Sequence, residues 1–309
     1  MTKSLVTGGA GFIGSHLVQA LVEGGDAVRV LDNFSTGKEE NLAGVLEEIE
    51  LIPGDLRDES VLTKATAGMD FIYHQAAFVS VPASLQDPDT CFECNVTGTS
   101  KLLSAARKAG VRRVVLASSA AVYGDNPDLP LSEDAVPAPL SPYASSKLMS
   151  ETLGQLYSTS LGLQVTSLRY FNVYGPRQNP ASDYAAVIPI FIKSLLDGGD
   201  PLVYGDGKQT RDFIYVGDVV RANLLAAESR SSGQVFNICS GESVDMHQLL
   251  RLLSAIFSRQ ITPGYKPARL GDIYHSLGDP ALAKHQLGFK PHTSLEEGLQ
   301  DTVDWMKRV

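Results

Sequence analysis

The chain has 309 residues, 43% of them hydrophobic and 20% charged, with a formal net charge of −9. That is the balance of a globular protein with a large core, arranged as two domains or as one large domain with a lobe. The acidic balance argues against a nucleic-acid partner, and no apolar run reaches the roughly 18 residues a membrane span needs, so neither nucleic acid nor membrane is an expected partner.

The opening MTKSLVTGGAGF runs straight into a strand and glycines without a signal-peptide pattern, so a cytoplasmic setting is expected. KSLVTGGAGFIGSHLVQALVEGG reads as a short apolar strand, a glycine turn and a helix ending near Gly24 and Gly25; AVRVLDN is the next strand. Strand, glycine loop, helix and strand are the order of a dinucleotide-binding unit. Gly8 suits the tight turn, Gly11 lets the backbone approach a pyrophosphate, and Gly14 allows close helix-to-strand packing. The helix N-terminus then offers free N–H groups to phosphate. Asp32 ends the second strand; its carboxylate can accept from a ribose diol and would repel a 2′-phosphate, which favours NAD over NADP.

Further strands are predicted in EIELIPGDL, MDFIYHQAA, VRRVVLASSA and LQVTSLRYFNVYG, with helices such as VTGTSKLLSAARKAG between them. The alternation predicts a parallel sheet covered on both faces. Asp55 follows a strand and reads either as an adenine contact or as a turn cap; Ala76 and Ala77 leave room for a cofactor. Cys91 and Cys94 have metal-like spacing, but no second pair lies nearby, so no metal is expected. NVT at Asn95 matches a glycosylation acceptor that a cytoplasmic chain would not present.

SPYASSKLMSE (141–151) predicts a helix capped by Ser141 with Pro142 at its first position. Tyr143 and Lys147, four apart, share one face. Alone, that pair reads as an ordinary solvated helix surface; the rest of the chain makes it a candidate reacting centre. After Gly175 the chain changes character, with turn-rich PRQNPASD and GDGKQTRD, helices near 185–197, 216–228 and 244–258, and short segments PLVYG and QVFNICS. Residues 1–175 are expected to form mainly the nucleotide-binding domain. Residues 176–309 are expected to form mainly a substrate lobe, with segments returning to the sheet. His16, His74 and His275 are read as structural, because no two histidines and a carboxylate stand at ligand spacing.

TGGAGFIG (7–14), LDNFSTGK (31–38), GDLRD (54–58), HQAA (74–77), SSAAVYG (118–124), PYASSK (142–147), RYFNVYGPRQ (169–178) and TRDFIYVGDV (210–219) together resemble the extended short-chain dehydrogenase/reductase family, in its order and across most of the chain. Within it the chain is similar to the UDP-hexose 4-epimerases, more closely the branch that includes UDP-N-acetylglucosamine 4-epimerases. The resemblance implies an α/β fold: a Rossmann-type doubly wound parallel sheet with a smaller C-terminal α/β substrate-binding lobe. It implies a homodimer built through a four-helix bundle, using the helix that carries Tyr143 and the one starting near Thr97. It also implies tightly held NAD, regenerated within each turnover.

By the same resemblance Ser119, Tyr143 and Lys147 are catalytic. Cofactor contacts fall on Gly8, Gly11, Phe12, Ile13, Gly14, Asp32, Asn33, Ser35, Thr36, Gly37, Asp55, Leu56, Ala76, Ala77, Tyr143, Lys147 and Tyr170. The UDP-hexose contacts fall on Ser80, Ser119, Asn172, Val187, Leu202, Tyr204, Arg211, Arg269, Asp272 and Ser276. Among these, Arg211 and Arg269 match pyrophosphate ligands, Asp272 the uridine ribose, Asn172 the sugar phosphate, and Leu202 and Tyr204 the uracil packing. Arg177 and Lys208 remain either contacts or solvated loop charges. Small residues at Ser276 and Ala186 imply room for an N-acetyl group, so activity is expected on UDP-glucose and UDP-galactose and also on the N-acetylated pair.

The implied reaction takes the C4 hydroxyl proton and hydride, forms a 4-keto sugar and returns hydride to the other face. Tyr143 would be base and then acid. A phenol with a pKa near 10 is ionised to about one part in 10³ at pH 7, a handicap of roughly 4 kcal/mol, which the charge of Lys147 is expected to offset. Ser119 would hold the C4 oxygen, and Ser118 is the structural hydroxyl. A 4,6-dehydratase needs an acid pair after the catalytic hydroxyl residue, where this chain has Ala120 and Ala121. A UDP-uronate 4-epimerase or decarboxylase, a reductase that releases its cofactor, and a non-catalytic dinucleotide-binding regulator stay open.

Overall fold

The computed structural model describes residues 1–180, 186–268 and 273–308. The first half runs β1 (Lys3–Thr7), α1 (Phe12–Glu23), β2 (Ala27–Asp32), β3 (Ile49–Pro53), α2 (Glu59–Thr66), β4 (Phe71–His74), α3 (Val81–Gln86), α4 (Pro88–Phe92), α5 (Gly98–Lys108), β5 (Arg113–Ser119), α6 (Pro142–Ser160) and β6 (Gln164–Tyr170). These six strands pair in parallel in the order β3-β2-β1-β4-β5-β6. The order reverses between β1 and β4, and the carboxyl ends of those strands open the crevice where such sheets bind ligand.

Alternation along the strands divides the core in two. Val6, Val30, Tyr73, Val115 and Leu168 face one layer with Leu17 and Val18 of α1. Leu5, Leu31, Ile72, Val114 and Val165 face the other, with Leu62 of α2 and Leu102 of α5. Near-continuous apolar strands follow from burial on both faces. Between α4 and α5 the helix passes through a π-helical turn, Glu93–Thr97, which turns Asn95 inward. Asn95 is buried, so the glycosylation match has no reachable acceptor.

The second half runs β7 (Asn172–Tyr174), α7 (Val187–Leu196), β8 (Leu202–Tyr204), β9 (Thr210–Arg211), β10 (Phe213–Tyr215), α8 (Val216–Glu228), β11 (Val235–Ile238), β12 (Val244–Asp245), α9 (Met246–Ile256), β13 (Gly264–Lys266), α10 (Ala281–Leu287) and α11 (Leu295–Met306). The predicted single strand LQVTSLRYFNVYG is two. β6 pairs with β11, which returns to the edge of the main sheet, and Phe171 N–H still donates to the Ile238 carbonyl. One residue on, Asn172 N–H donates to Asp212, and β7 pairs with β10 instead. The chain thus leaves the sheet at Phe171. β8 pairs with β13 and β9 with β12, in two further two-stranded sheets. A separate core of Ile188, Phe191, Leu249, Leu253, Leu299 and Val303 joins α7, α9 and α11.

Candidate active site

The glycine loop lies at the sheet's reversal point. Gly8 takes φ +69°, and a Cβ there would stand 2.6 Å from the Ala76 nitrogen, so the β1 and β4 loops touch through the missing side chain. A Cβ at Gly14 would collide with the Gly8 carbonyl; its close approach is to the loop rather than to the strand that the sequence suggested. Gly11 precedes α1 with no side-chain cap, leaving the amides of the first turn, with Phe12 and Ile13, available to an anion. Ile13 packs on the core, and the Phe12 ring meets His16 edge-on.

Asp32 ends β2, buried. Its Oδ2 accepts from Ala10 N–H at 2.9 Å and its Oδ1 from Phe34 N–H at 2.8 Å, which leaves lone pairs for a diol. Lys38 N–H donates to the Ala10 carbonyl, folding the loop that carries Asn33, Ser35, Thr36 and Gly37 beside Asp32. Asp55 is an Asx turn on Arg57 N–H and a bidentate partner of the Arg57 guanidinium, which holds its carboxyl well below the usual range. Asn33 Nδ2 donates to the same group. Asp55 therefore anchors the loop. Leu56 points into the core.

At the end of β5, Ser119 accepts from Ala121 N–H at 3.2 Å and stands near enough to the Tyr143 phenol to lower its pKa. α6 begins as predicted, with Ser141 accepting from Ala144 N–H behind Pro142. Lys147 Nζ lies 5.8 Å from the centre of the Tyr143 ring and donates to the Ala117 carbonyl at 2.9 Å. Burial lowers its pKa to about 8, opposed by Cys91 and Glu151. Burial also pushes the Tyr143 phenol up, with Ser119 opposing.

Ser118 donates to Glu151 at 2.5 Å, and Glu151 forms a bidentate pair with Arg169, so Ser118 is structural as expected. Two further supports escaped the sequence reading. Asn95 bonds both the N–H and carbonyl of Phe78 and the hydroxyl of Ser146, tying the β4 loop to α6. Ser84 accepts from Tyr143 N–H at 3.2 Å. Ser80 caps α3 through Ala83 N–H. Tyr170, paired in register with Ser119, is buried with its hydroxyl on Asn223 and Gln75. His74 bridges Thr7 and Thr99, its pKa lowered to about 3 by burial, and His16 bonds the Pro176 carbonyl, its pKa lowered to about 4 by burial; both are structural.

In the lobe, Asn172 gives both its N–H and its Nδ2 to the Asp212 carbonyl. Arg211 Nη1 donates to Thr210 at 2.9 Å, and Ser276 N–H donates to the Thr210 carbonyl at 3.2 Å. Leu202 and Tyr204 stand on β8, Leu202 exposed, and Val187 starts α7 after Ala186. Arg269 and Asp272 lie outside the described residues. Arg177 is half-buried against α1, donating to Gln19 at 2.7 Å, so it is not a solvated charge; Lys208 is exposed. Among the described residues no group of three or more His, Cys, Asp or Glu is arranged to hold a metal ion. Among them no helix is long and apolar enough to cross a membrane.

The pattern of the NAD dependent epimerase/dehydratase family matches residues 4–239. The structure superposes on a UDP-N-acetylglucosamine 4-epimerase from Methanobrevibacter ruminantium, solved with UDP-N-acetylmuramic acid, with a TM-score of 0.96 and 41% identity, covering 99% of this chain and 98% of that one. A UDP-glucose 4-epimerase from Thermotoga maritima with UDP-glucose gives 0.95 and 40%, covering 99% of each. A UDP-N-acetyl-alpha-D-glucosaminuronate decarboxylase from Bacillus cytotoxicus is 37% identical, over 99% of this chain and 98% of its own.

Proposed function

The chain belongs to the NAD dependent epimerase/dehydratase family, and from that premise we propose that it is a UDP-hexose 4-epimerase, acting on UDP-glucose and UDP-galactose and also on the N-acetylated pair. It is an NAD-dependent enzyme that modifies nucleotide sugars. One observation carries the finer reading: Ser119 and Lys147 both stand beside the Tyr143 phenol, while Ala120 and Ala121 leave no acid pair for elimination.

The residues fit the cofactor. The uncapped start of α1 beside Gly11 suits the pyrophosphate, and Asp32, already held by two N–H groups, suits the adenosine ribose. When bound, NAD accepts and returns the C4 hydride and in its oxidised form adds a positive charge near the phenol. Tyr143 takes the O4 proton and later returns it. Ser119 bridges the phenol and O4, fixing the line of proton transfer. Lys147 is cationic at neutral pH and favours the phenolate once the site is filled. Asn172 and Arg211 bind the diphosphate, and the small Ser276 leaves room at C2 of the sugar. Met149 and Leu156, one heptad apart on α6 and 46% and 49% exposed, support a homodimer through that helix.

A second reading is decarboxylation of a UDP-uronate, favoured by the 37% identical decarboxylase. Incubation with UDP-glucose, UDP-N-acetylglucosamine and UDP-glucuronate, with product identification and measurement of released carbon dioxide, separates the two. Epimeric hexoses without carbon dioxide support epimerisation. A pentose product with carbon dioxide overturns it.

A further inference from the structure

Asp212 is fully buried, and every acceptor it owns is in use. Its Oδ1 accepts from the N–H and the hydroxyl of Ser240, both at 2.7 Å. Its Oδ2 accepts from Gly241 N–H at 3.0 Å and Gly278 N–H at 3.1 Å. Its main-chain carbonyl takes the two Asn172 donors, at 3.0 and 3.1 Å. Burial pushes its pKa up to about 6 despite these donors. A fully buried carboxylate is a costly way to tie loops together, since apolar packing does so without a desolvation penalty. What a carboxylate adds is direction: four donors fix two loops, at Ser240–Gly241 and at Gly278, to one point.

The residues assigned to substrate lie next to these ties. Arg211 is the preceding residue. Asn172 hangs from the main-chain oxygen. Ser276 stands two residues before Gly278 and is held at its other side by Thr210. Gly278 has no slack, because a Cβ there would lie 2.6 Å from the Phe171 ring and 2.7 Å from Cys239 Sγ. We propose that Asp212 is a positioning residue for UDP-sugar binding, setting Asn172, Arg211 and Ser276 in register. This rests on the assignment of those three residues to the substrate.

Asp218 supplies an internal control. It too is a buried lobe carboxylate with three donors, from His292, Thr293 and Arg221, none of them beside a residue assigned to substrate. The test compares Asp212→Asn with Asp218→Asn in the full-length, NAD-loaded protein. The readouts are UDP affinity by calorimetry, KM and kcat on UDP-glucose, released NAD and thermal midpoint. For Asp212→Asn, KM and the UDP dissociation constant should rise about tenfold or more, the scale of losing hydrogen bonds to a charge. The kcat and NAD content should stay close to those of the unaltered protein. Asp218→Asn should lose stability with KM unchanged. If Asp212→Asn does not fold, Ser240→Ala removes one donor and should raise KM about threefold at constant kcat. An unchanged KM in a folded Asp212→Asn or, failing that, in Ser240→Ala, or equal rises in KM for both carboxylate variants, overturns the positioning role. Absence of UDP binding by the unaltered protein overturns the assigned function and this role together. Tight binding by the unaltered protein with equal binding by Asp212→Asn overturns this role alone.

Discussion

Glu151→Gln probes the ground beneath the reacting lysine. Glu151 and Arg169 are each 5% exposed and joined by two bonds of 2.9 and 2.8 Å, with Ser118 as a third donor at 2.5 Å. Glutamine keeps the shape but turns one acceptor into a donor facing the guanidinium. Breaking a buried pair from one side costs about 3–5 kcal/mol. For a chain of this size that lowers the thermal midpoint by roughly 5–10 °C. The same carboxylate is one of two groups that hold up the pKa of Lys147, which burial has drawn down to about 8. With its pKa near 8, any further fall lowers the cationic fraction of Lys147 at pH 7. Lysine is cationic below its pKa, so the alkaline limb of kcat should move to lower pH. The assays are thermal unfolding and kcat on UDP-glucose from about pH 6 to 9. A midpoint unchanged within error would refute the worth assigned to the pair. A lower midpoint with an unmoved alkaline limb would refute the electrostatic link to Lys147.

Tyr143→Phe keeps the ring and removes the proton carrier, so kcat should fall by about 10² or more while calorimetric UDP affinity holds; near-normal turnover contradicts the assigned base. Asp32→Ala should weaken the preference for NAD over NADP, read as the ratio of the two dinucleotides bound after reconstitution of cofactor-stripped protein, and an unchanged ratio would show that Asp32 only anchors Ala10 and Phe34. Ser276→Tyr should abolish activity on the N-acetylated pair and spare UDP-glucose, measured as kcat/KM on both. Equal losses would move Ser276 away from the C2 side of the sugar.

The sheet was legible because local chemistry dictates it: the glycine turn, the Pro142 helix start and apolar strands each act within a few residues, whereas the grouping of Ser119, Tyr143 and Lys147 came from the family resemblance alone. Asn95 was not, since NVT looks the same on a surface and in a π turn; only the extra residue in the helix turns it inward onto Phe78. The break at Phe171 was hidden because no glycine or proline separates β6 from β7, and the change of partner is set by Ile238 and Asp212, distant in sequence. Asp55 had two readings, and the Arg57 that fixes its carboxylate was not weighed in either. The phenol's upward shift reflects burial, which residue spacing does not reveal.

The most direct measurement is the fate of a C4 label. UDP-glucose carrying deuterium at C4 is incubated with the purified protein, and the products are resolved by NMR. The account predicts UDP-galactose with deuterium retained at C4, because the hydride leaves and returns within one site while Tyr143 exchanges only the hydroxyl proton. Loss of the label to solvent, a product altered at another carbon, or no interconversion would contradict it.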